Sequence, residues 1–284
     1  MTHPPIAAWK PTEILRFIRN FDTGTQAALV LTDAGEGYLK AMGNRGGEHC
    51  LACEWVATHL ARWFKLPTFE FALLEVTDLD EIPLFGGGHA QTGPCFITRA
   101  ESGEPWGGKG IQLGRLINPL DISRLVVFDT WVLNCDRFSP NPQRKPNYNN
   151  VFLSAEAPEG HLLLKAMDHT HAFACGRDLT PRLANIDQIK EANVFGLFPE
   201  FVPRLNQDAF HQALDDLAYI PRQFVEEIVS SVPREWDVSR EARSALTELI
   251  IRRALFLATN RSGIMGIHLY QKTLDLPKER GDEP

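Results

Sequence analysis

Lys40 and Glu54 are the first residues whose types and placement suggest chemistry. Lys40 sits in an otherwise apolar stretch, and an ammonium there needs a partner because burying it alone is costly. Glu54 lies early in the following apolar-periodic segment and can supply that partner. Further on, Asn134-Cys135-Asp136-Arg137 closes a strongly apolar run and opens a polar loop. A carboxylate there can accept a hydrogen bond from a hydroxyl and aim it. Asn149-Asn150 begins one short apolar run, and Asp168 ends its neighbour. An amide oxygen and a carboxylate at adjoining strand ends can share one hard cation such as Mg²⁺, which binds through few protein groups plus phosphates. Each cluster also has a plain reading: a solvated Lys and Glu, an ordinary loop Asp–Arg pair, or Asn and Asp as turn formers. Their order is more specific than any one of them. Lys, Glu, Asp, Asn, Asp on strand, helix, loop, strand start and strand end is the layout of a phosphoryl-transfer site, where positioning and electrostatics do most of the catalysis.

The elements that must hold these residues can be read from periodicity. Residues 12–20 read as a short amphipathic helix or an extended lead-in. Residues 25–31 and 38–42 read as strands around the turn chemistry of 33–37, which puts Lys40 on the second strand of a hairpin. From 48 to 64 apolar residues recur at helical spacing, and Pro67 ends that run. Residues 69–76 and 94–98 read as strands separated by Gly86-Gly87-Gly88. A Gly- and Pro-containing loop at 101–110 marks a lobe boundary, giving residues 1–100 as a β-rich lobe and 101–284 as a mainly helical one. Residues 121–134 form a helix apolar enough to be buried inside its lobe. A polar loop at 137–149 and a hairpin of 151–153 with 162–167 follow. Helical patterns then cover 206–218, 221–231 and 239–260, and from about 276 the composition is that of a loose tail. The fold class is therefore α+β, with two lobes and one helix inserted into an antiparallel sheet.

Composition bounds the rest. The 284 residues, 44% hydrophobic and 23% charged, suit a globular protein of two packed lobes. The net charge of −7 and the lack of a Lys/Arg stripe argue against a nucleic-acid partner. No apolar run is long enough to span a bilayer, and His3-Pro4-Pro5 stands where a signal peptide would need a basic start, so a cytoplasmic location is expected. Five cysteines without regular spacing do not suggest a disulfide framework. Cys50 and Cys53 form a lone CxxC, half of a zinc site, and read as buried thiols.

These residues resemble a known family. Gly37-Tyr38-Leu39-Lys40, Gly43-Asn44-Arg45-Gly46-Gly47, Glu54 and Leu66-Pro67 are similar to the N-terminal part of the bacterial HipA-like serine/threonine kinases. Asn134-Cys135-Asp136-Arg137, Asn150-Val151-Phe152-Leu153 and Asp168-His169 are similar to their catalytic core, and Val232-Pro233-x-x-Trp236 with Ile251-Arg252-Arg253 to their C-terminal helices. The resemblance implies a bilobal kinase fold using ATP and Mg²⁺. It implies Lys40 on the ATP phosphates with Glu54 orienting it, and Asp136 as catalytic carboxylate with Arg137 organising its loop. Asn150 and Asp168 would hold Mg²⁺, and the stretch from Phe96 to Glu101 would offer backbone groups to adenine. It also admits an antitoxin-type protein partner, although no such partner is visible in the chain. Four departures from the common kinase pattern stand out: no G-x-G-x-x-G loop, Asn134-Cys135-Asp136 for His-Arg-Asp, Asp168-His169-Thr170 for Asp-Phe-Gly, and a long Asp136-to-Asn150 gap that makes Asn141 a rival metal ligand. The two motif replacements fit the HipA-like branch better than eukaryotic-type kinases.

Other readings remain open on sequence alone. Asp168-His169-x-His171 with His161 could belong to a metal-dependent hydrolase. A kinase-like fold could also serve as an idle binding module. The acceptor could be a protein or a small molecule, and the group transferred could be a nucleotidyl group.

Overall fold

The computed structural model describes residues 9–261, so the tail expected from 276 lies outside the described residues. A five-stranded antiparallel sheet is built from β1 (Ile14–Asn20), β2 (Ala28–Thr32), β3 (Gly35–Lys40), β4 (Phe71–Val76) and β5 (Gly93–Arg99), in the order β1-β2-β3-β5-β4. The segment expected as a helix or extended lead-in is thus the edge strand β1. Its Ile14 and Phe17 pack on the sheet's own core, and register shifts on both sides of its centre let the charged Arg16 and Arg19 turn outward. The hairpin turn is tighter than the glycines suggested. Thr32 pairs with Gly35 across Asp33-Ala34, and the Thr32 hydroxyl donates to the Gly35 carbonyl at 2.6 Å.

Helix α1 (Glu48–Trp63) lies between β3 and β4 in sequence. It stops where Lys65 takes a left-handed φ of 59° ahead of Leu66-Pro67. The segment expected as loop after residue 100 contains a short strand, β6 (Gly103–Pro105), which pairs with β7 (Val151–Ser154), itself paired with β8 (Leu163–Ala166). Helices α2 (Asp121–Val132), α3 (Ile186–Ile189), α4 (Gln207–Leu217), α5 (Arg222–Ser230) and α6 (Arg240–Thr259) complete the described chain.

Hydrophobic burial divides into two clusters. The smaller joins Ala28, Val30, Leu39, Leu74, Val76 and Ile97 within the sheet. The larger runs from α1 through α2 to α6 and takes in Phe71 and Phe96 from the sheet. The inserted helix therefore shares its core with the helical half. Within this cluster Ile122, Leu125, Val126, Phe128 and Trp131 of α2 are almost wholly buried, each contributing roughly 1.5–3 kcal/mol.

The end of α2 has to be placed accurately, because the catalytic candidate Asp136 follows it. Two polar anchors do this. Trp131 Nε1 donates to the Ile250 carbonyl at 2.9 Å. Arg253, fully buried on α6, donates to the carbonyls of Thr130, Trp131, Gln188, Ile189 and Glu191. A cation against the carbonyls that end a helix is favoured both by the helix dipole and by unmet hydrogen bonds there. Burial pulls the Arg253 pKa down to about 9. Trp236 in turn donates from Nε1 to the Pro94 carbonyl at 2.9 Å, tying the helical half to β5.

Candidate functional site

Lys40 ends β3, and its side chain bridges two elements. Its Nζ donates to Glu54 Oε2 on α1 at 2.8 Å and to Asp168 Oδ1 beyond β8 at 3.0 Å. The same Glu54 oxygen accepts the backbone N–H of His169 at 2.9 Å, and the Thr170 hydroxyl donates to Asp168 Oδ1 at 2.8 Å. Burial opposes the charge on Lys40, but the carboxylates of Asp168 and Glu54 outweigh it and hold the ammonium above the ordinary lysine pKa. Burial likewise opposes the Asp168 carboxylate, and Lys40 with the Thr170 hydroxyl overcomes it, leaving Asp168 well below the usual carboxylate range. Strand, helix and post-strand loop thus converge on one salt-bridged triad, in which burial raises the Glu54 pKa despite the neighbouring Lys40.

Asp136 forms the centre of a second cluster. Its Oδ2 accepts from Asn147 Nδ2 at 3.0 Å and from Asn150 Nδ2 at 2.7 Å, and its Oδ1 lies 3.2 Å from His171 Nδ1. Burial raises the Asp136 pKa, and His171 and Asn147 more than offset this, so the group sits below its ordinary value. The loop carrying it starts at Leu133, whose φ of 54° is left-handed, and Asp168, Phe173 and Cys175 also have φ between 56° and 64°. Non-glycine residues in that region are costly and tend to gather at functional sites.

Arg137 holds the two clusters together. Its guanidinium is fully buried and pairs with Asp129 of α2. Its Nε donates to the Asn150 carbonyl at 3.0 Å and its Nη2 to the Met167 carbonyl at 2.7 Å. One side chain therefore fixes the start of β7, the end of β8 and the Asp136 loop. Arg137, expected beside Asp136 as the residue that organises its loop, is wholly buried and sits behind the residues it positions. Gly196 makes room for this arrangement. Its φ is 72°, and a Cβ there would lie 2.2 Å from Asp129 Oδ2.

The nucleotide-side expectation shifts as well. Phe96 is 1% exposed and packs against Phe71 and Trp55, while its strand is paired on one side with β3 and on the other with β4. Neither its ring nor its ladder groups face a ligand. The Glu101 carboxylate is engaged by Lys165 and by the Ser154 hydroxyl, so any contact to adenine falls to backbone near it. Asn141 is exposed and its side-chain oxygen accepts from the Gln143 backbone, whereas Asn150 and Asn147 are the amides beside Asp136.

The three histidines considered for a hydrolase site do not gather. His161 Nδ1 faces the Glu159 carbonyl at 3.1 Å on the surface, His169 is buried against Phe128, and His171 faces Asp136. Among the described residues no group of three or more His, Cys, Asp or Glu is placed to hold a metal ion. Cys50 and Cys53 are buried thiols, the former pushed up to about 12 by burial. Two of the other cysteines are not free: Cys135, next to Asp136, is bonded to Cys175. No helix among the described residues is long and apolar enough to cross a membrane.

Asn147, His171 and the Cys135–Cys175 bond were not picked out from sequence as parts of one site. Asn147 lies in a loop without periodicity, and only the DHxH spelling hinted at His171.

A profile described as HipA-like kinase matches residues 14–259. The chain resembles the crystal structure of a Helicobacter pylori proinflammatory kinase, CtkA, at 14% identity and a TM-score of 0.54, covering 88% of this chain and 98% of that one. It also overlaps a Golgi casein kinase crystallised with Mn/ADP at 12% identity and a TM-score of 0.46, covering 90% and 75% respectively. No curated protein sequence matches the chain.

Proposed function

The chain belongs to the HipA-like kinase family, and we propose that it transfers the γ-phosphoryl group of ATP to a serine or threonine hydroxyl of a protein substrate. The observation that carries this reading is the Glu54–Lys40–Asp168 triad with Asp136 held nearby on amides. An ammonium pinned between two carboxylates is preset to meet phosphate oxygens as it is released from one of them. ATP would lie between residues 1–100 and the helical lobe from 101 onward, with backbone near Glu101 at the adenine end.

The donor set fits a hard divalent cation. Asn150 gives its amide nitrogen to Asp136, which keeps its oxygen free of that contact, and burial of Asp168 is overcome by Lys40 so that its carboxyl lies well below the usual range. Both are oxygen donors of the kind Mg²⁺ takes. When bound, Mg²⁺ would supply charge neutralisation on the phosphates. The chain's own residues do the rest. Lys40 holds the phosphates, Glu54 orients Lys40, and Asp136 aims the acceptor hydroxyl and accepts its proton. Arg137 fixes the loop from below, through Asn150 and Met167.

The test is incubation of purified protein with Mg²⁺ and γ-labelled ATP, with and without a bacterial lysate, beside the Asp136→Asn and Asp168→Asn variants. Label on the protein or a lysate component, lost in both variants, is expected. Asp136→Asn should keep nucleotide binding, and Asp168→Asn should weaken Mg²⁺–ATP engagement. Full activity in both variants would sink the assignment. Thermal stabilisation by ATP without any transfer would favour an idle binding module.

A further inference from the structure

The environment of Asp136 can be followed one lone pair at a time. A carboxylate offers about four acceptor positions, two per oxygen. Asn147 and Asn150 fill both positions on Oδ2. On Oδ1 the one described neighbour is His171, whose Nδ1 stands 3.2 Å away. That leaves one position on Oδ1 for an incoming hydroxyl, with the imidazole alongside it.

The loop bearing His171 is built to keep the ring there. Asp168, Phe173 and Cys175 hold left-handed φ values, so the chain doubles back on itself within a few residues. The Cys175 N–H donates to the His171 carbonyl at 3.1 Å, and Phe173 N–H donates to the Val132 carbonyl at the end of α2 at 2.6 Å. Cys175 is bonded to Cys135, the residue before Asp136, with Cα atoms 5.6 Å apart. Gly176, at φ 78°, leaves space for the ring: a Cβ there would sit 2.7 Å from His171 Cδ2. The ring is also accessible, its side chain being 38% exposed.

Two arginines lie close to the Asp136 loop. Arg137 is wholly buried and satisfied. Arg144 directs Nη1 to Cys135 Sγ at 3.0 Å.

We propose that His171 is a positioning residue of the transfer reaction, its imidazolium holding Asp136 Oδ1 so that the remaining lone pair points at the acceptor hydroxyl. This rests on the phosphotransfer reading given above. In the step itself the hydroxyl oxygen forms the new bond to the γ-phosphorus as the bond to the ADP oxygen breaks. The hydroxyl proton passes to Asp136, and His171 fixes the oxygen that receives it. The Nδ1–H is not aligned on Oδ1 as in a full hydrogen bond; such contacts tighten when substrate arrives. The groups facing His171 are Asp136 and Asp168, which favour its charged form, and Arg144, which opposes it.

The experiment measures transfer by the wild type and the His171→Gln, His171→Lys and Asp136→Asn variants across pH, with circular dichroism to confirm folding. For His171→Gln, kcat should fall on the order of 10- to 100-fold, the scale of a roughly 1 Å misplacement, with the KM for ATP nearly unchanged. Wild-type kcat should decline as pH rises through the His171 pKa. His171→Lys should recover much of the rate and shift that alkaline decline upward, because its ammonium keeps its charge to higher pH. If Asp136→Asn is inactive while His171→Gln keeps the wild-type rate and pH profile, the proposal for His171 is overturned and the phosphotransfer reading stands. If Asp136→Asn is fully active, both fall together.

Discussion

Lys40 Nζ and Asp168 Oδ1 are 3.0 Å apart although 128 residues separate them in sequence, and Glu54 shares the same ammonium at 2.8 Å. The two carboxylates are not equivalent partners. Glu54 is buried, whereas the Asp168 side chain is 25% exposed. Lys40→Met should remove the phosphate contact and cut transfer by on the order of 100-fold or more, together with nucleotide affinity. Glu54→Gln should be milder, since Asp168 still holds the ammonium in place. Nucleotide titration and label transfer on both variants test the ranking. Equal loss in the two would mean that Glu54 does more than orient Lys40.

Asp129 and Arg137 form an ion pair in which both side chains are completely buried. Removing one partner from such a pair leaves a buried uncompensated charge and costs about 3–5 kcal/mol. Asp129→Ala should therefore lower unfolding free energy by about that amount in urea titration, and disturb the Asp136 loop through Arg137. A loss below about 1 kcal/mol would show that Arg137 finds water or another acceptor.

Asn150 and Asn141 should separate cleanly in a Mg²⁺ titration. Asn150→Ala removes the amide between Asp136 and the start of β7 and should raise the Mg²⁺ concentration needed for half-maximal transfer at least several-fold. Asn141→Ala, at an exposed turn, should leave that concentration unchanged. The opposite pattern would return Asn141 as the metal ligand.

His59 should make the fold sensitive to acid. Its ring lies edge-on between Trp55 at 4.4 Å and Phe71 at 4.8 Å. Burial, helped by Arg62, pulls its pKa from 6.5 down to about 4. A group depressed on folding contributes stability that is complete above its unfolded pKa and is lost as pH falls toward the folded one. The loss should run from about pH 6.5 to about 4, with His169, also lowered by burial, acting in the same direction. His171 is raised by Asp136, so its contribution is present below about pH 6.5 and disappears as pH rises above that. His59→Phe should flatten the acid decline in urea midpoints measured across the lower window. An unchanged decline would mean that the ring titrates as if solvated.

Much of this arrangement was legible in the chain itself. The helices expected at 48–64, 121–134 and 239–260 appear as Glu48–Trp63, Asp121–Val132 and Arg240–Thr259, because each carries a sustained apolar period that one face or one core must absorb. Residues 12–20 were ambiguous because alternating charges on a bulged edge strand imitate a helical face. The candidate residues that stand out in the chain are those where a polar side chain interrupts or ends an apolar element, as at Lys40, Asp136 and Asp168. The site was not legible where contact depends on how loops fold back. Asn147 reaches Asp136 from a loop with no period, and Cys135 meets Cys175 across 40 residues of chain. Glu101 looked available beside a strand end, but its partner Lys165 stands 64 residues away on a strand whose pairing no local pattern announces.

The position of α1 has a consequence for control. Its buried face is continuous with the core of α2 and α6, and its flanks are tied down by Trp55 Nε1 to the Ser231 hydroxyl at 2.9 Å and by Arg124 to the Phe64 carbonyl at 3.0 Å. Glu54 therefore cannot be drawn away from Lys40 by swinging its helix, since that would open the largest core of the protein. Among the described residues, α1 is not a clutch for this ion pair. Control that spares this core acts at the cleft or at the acceptor and not through a helix that disengages.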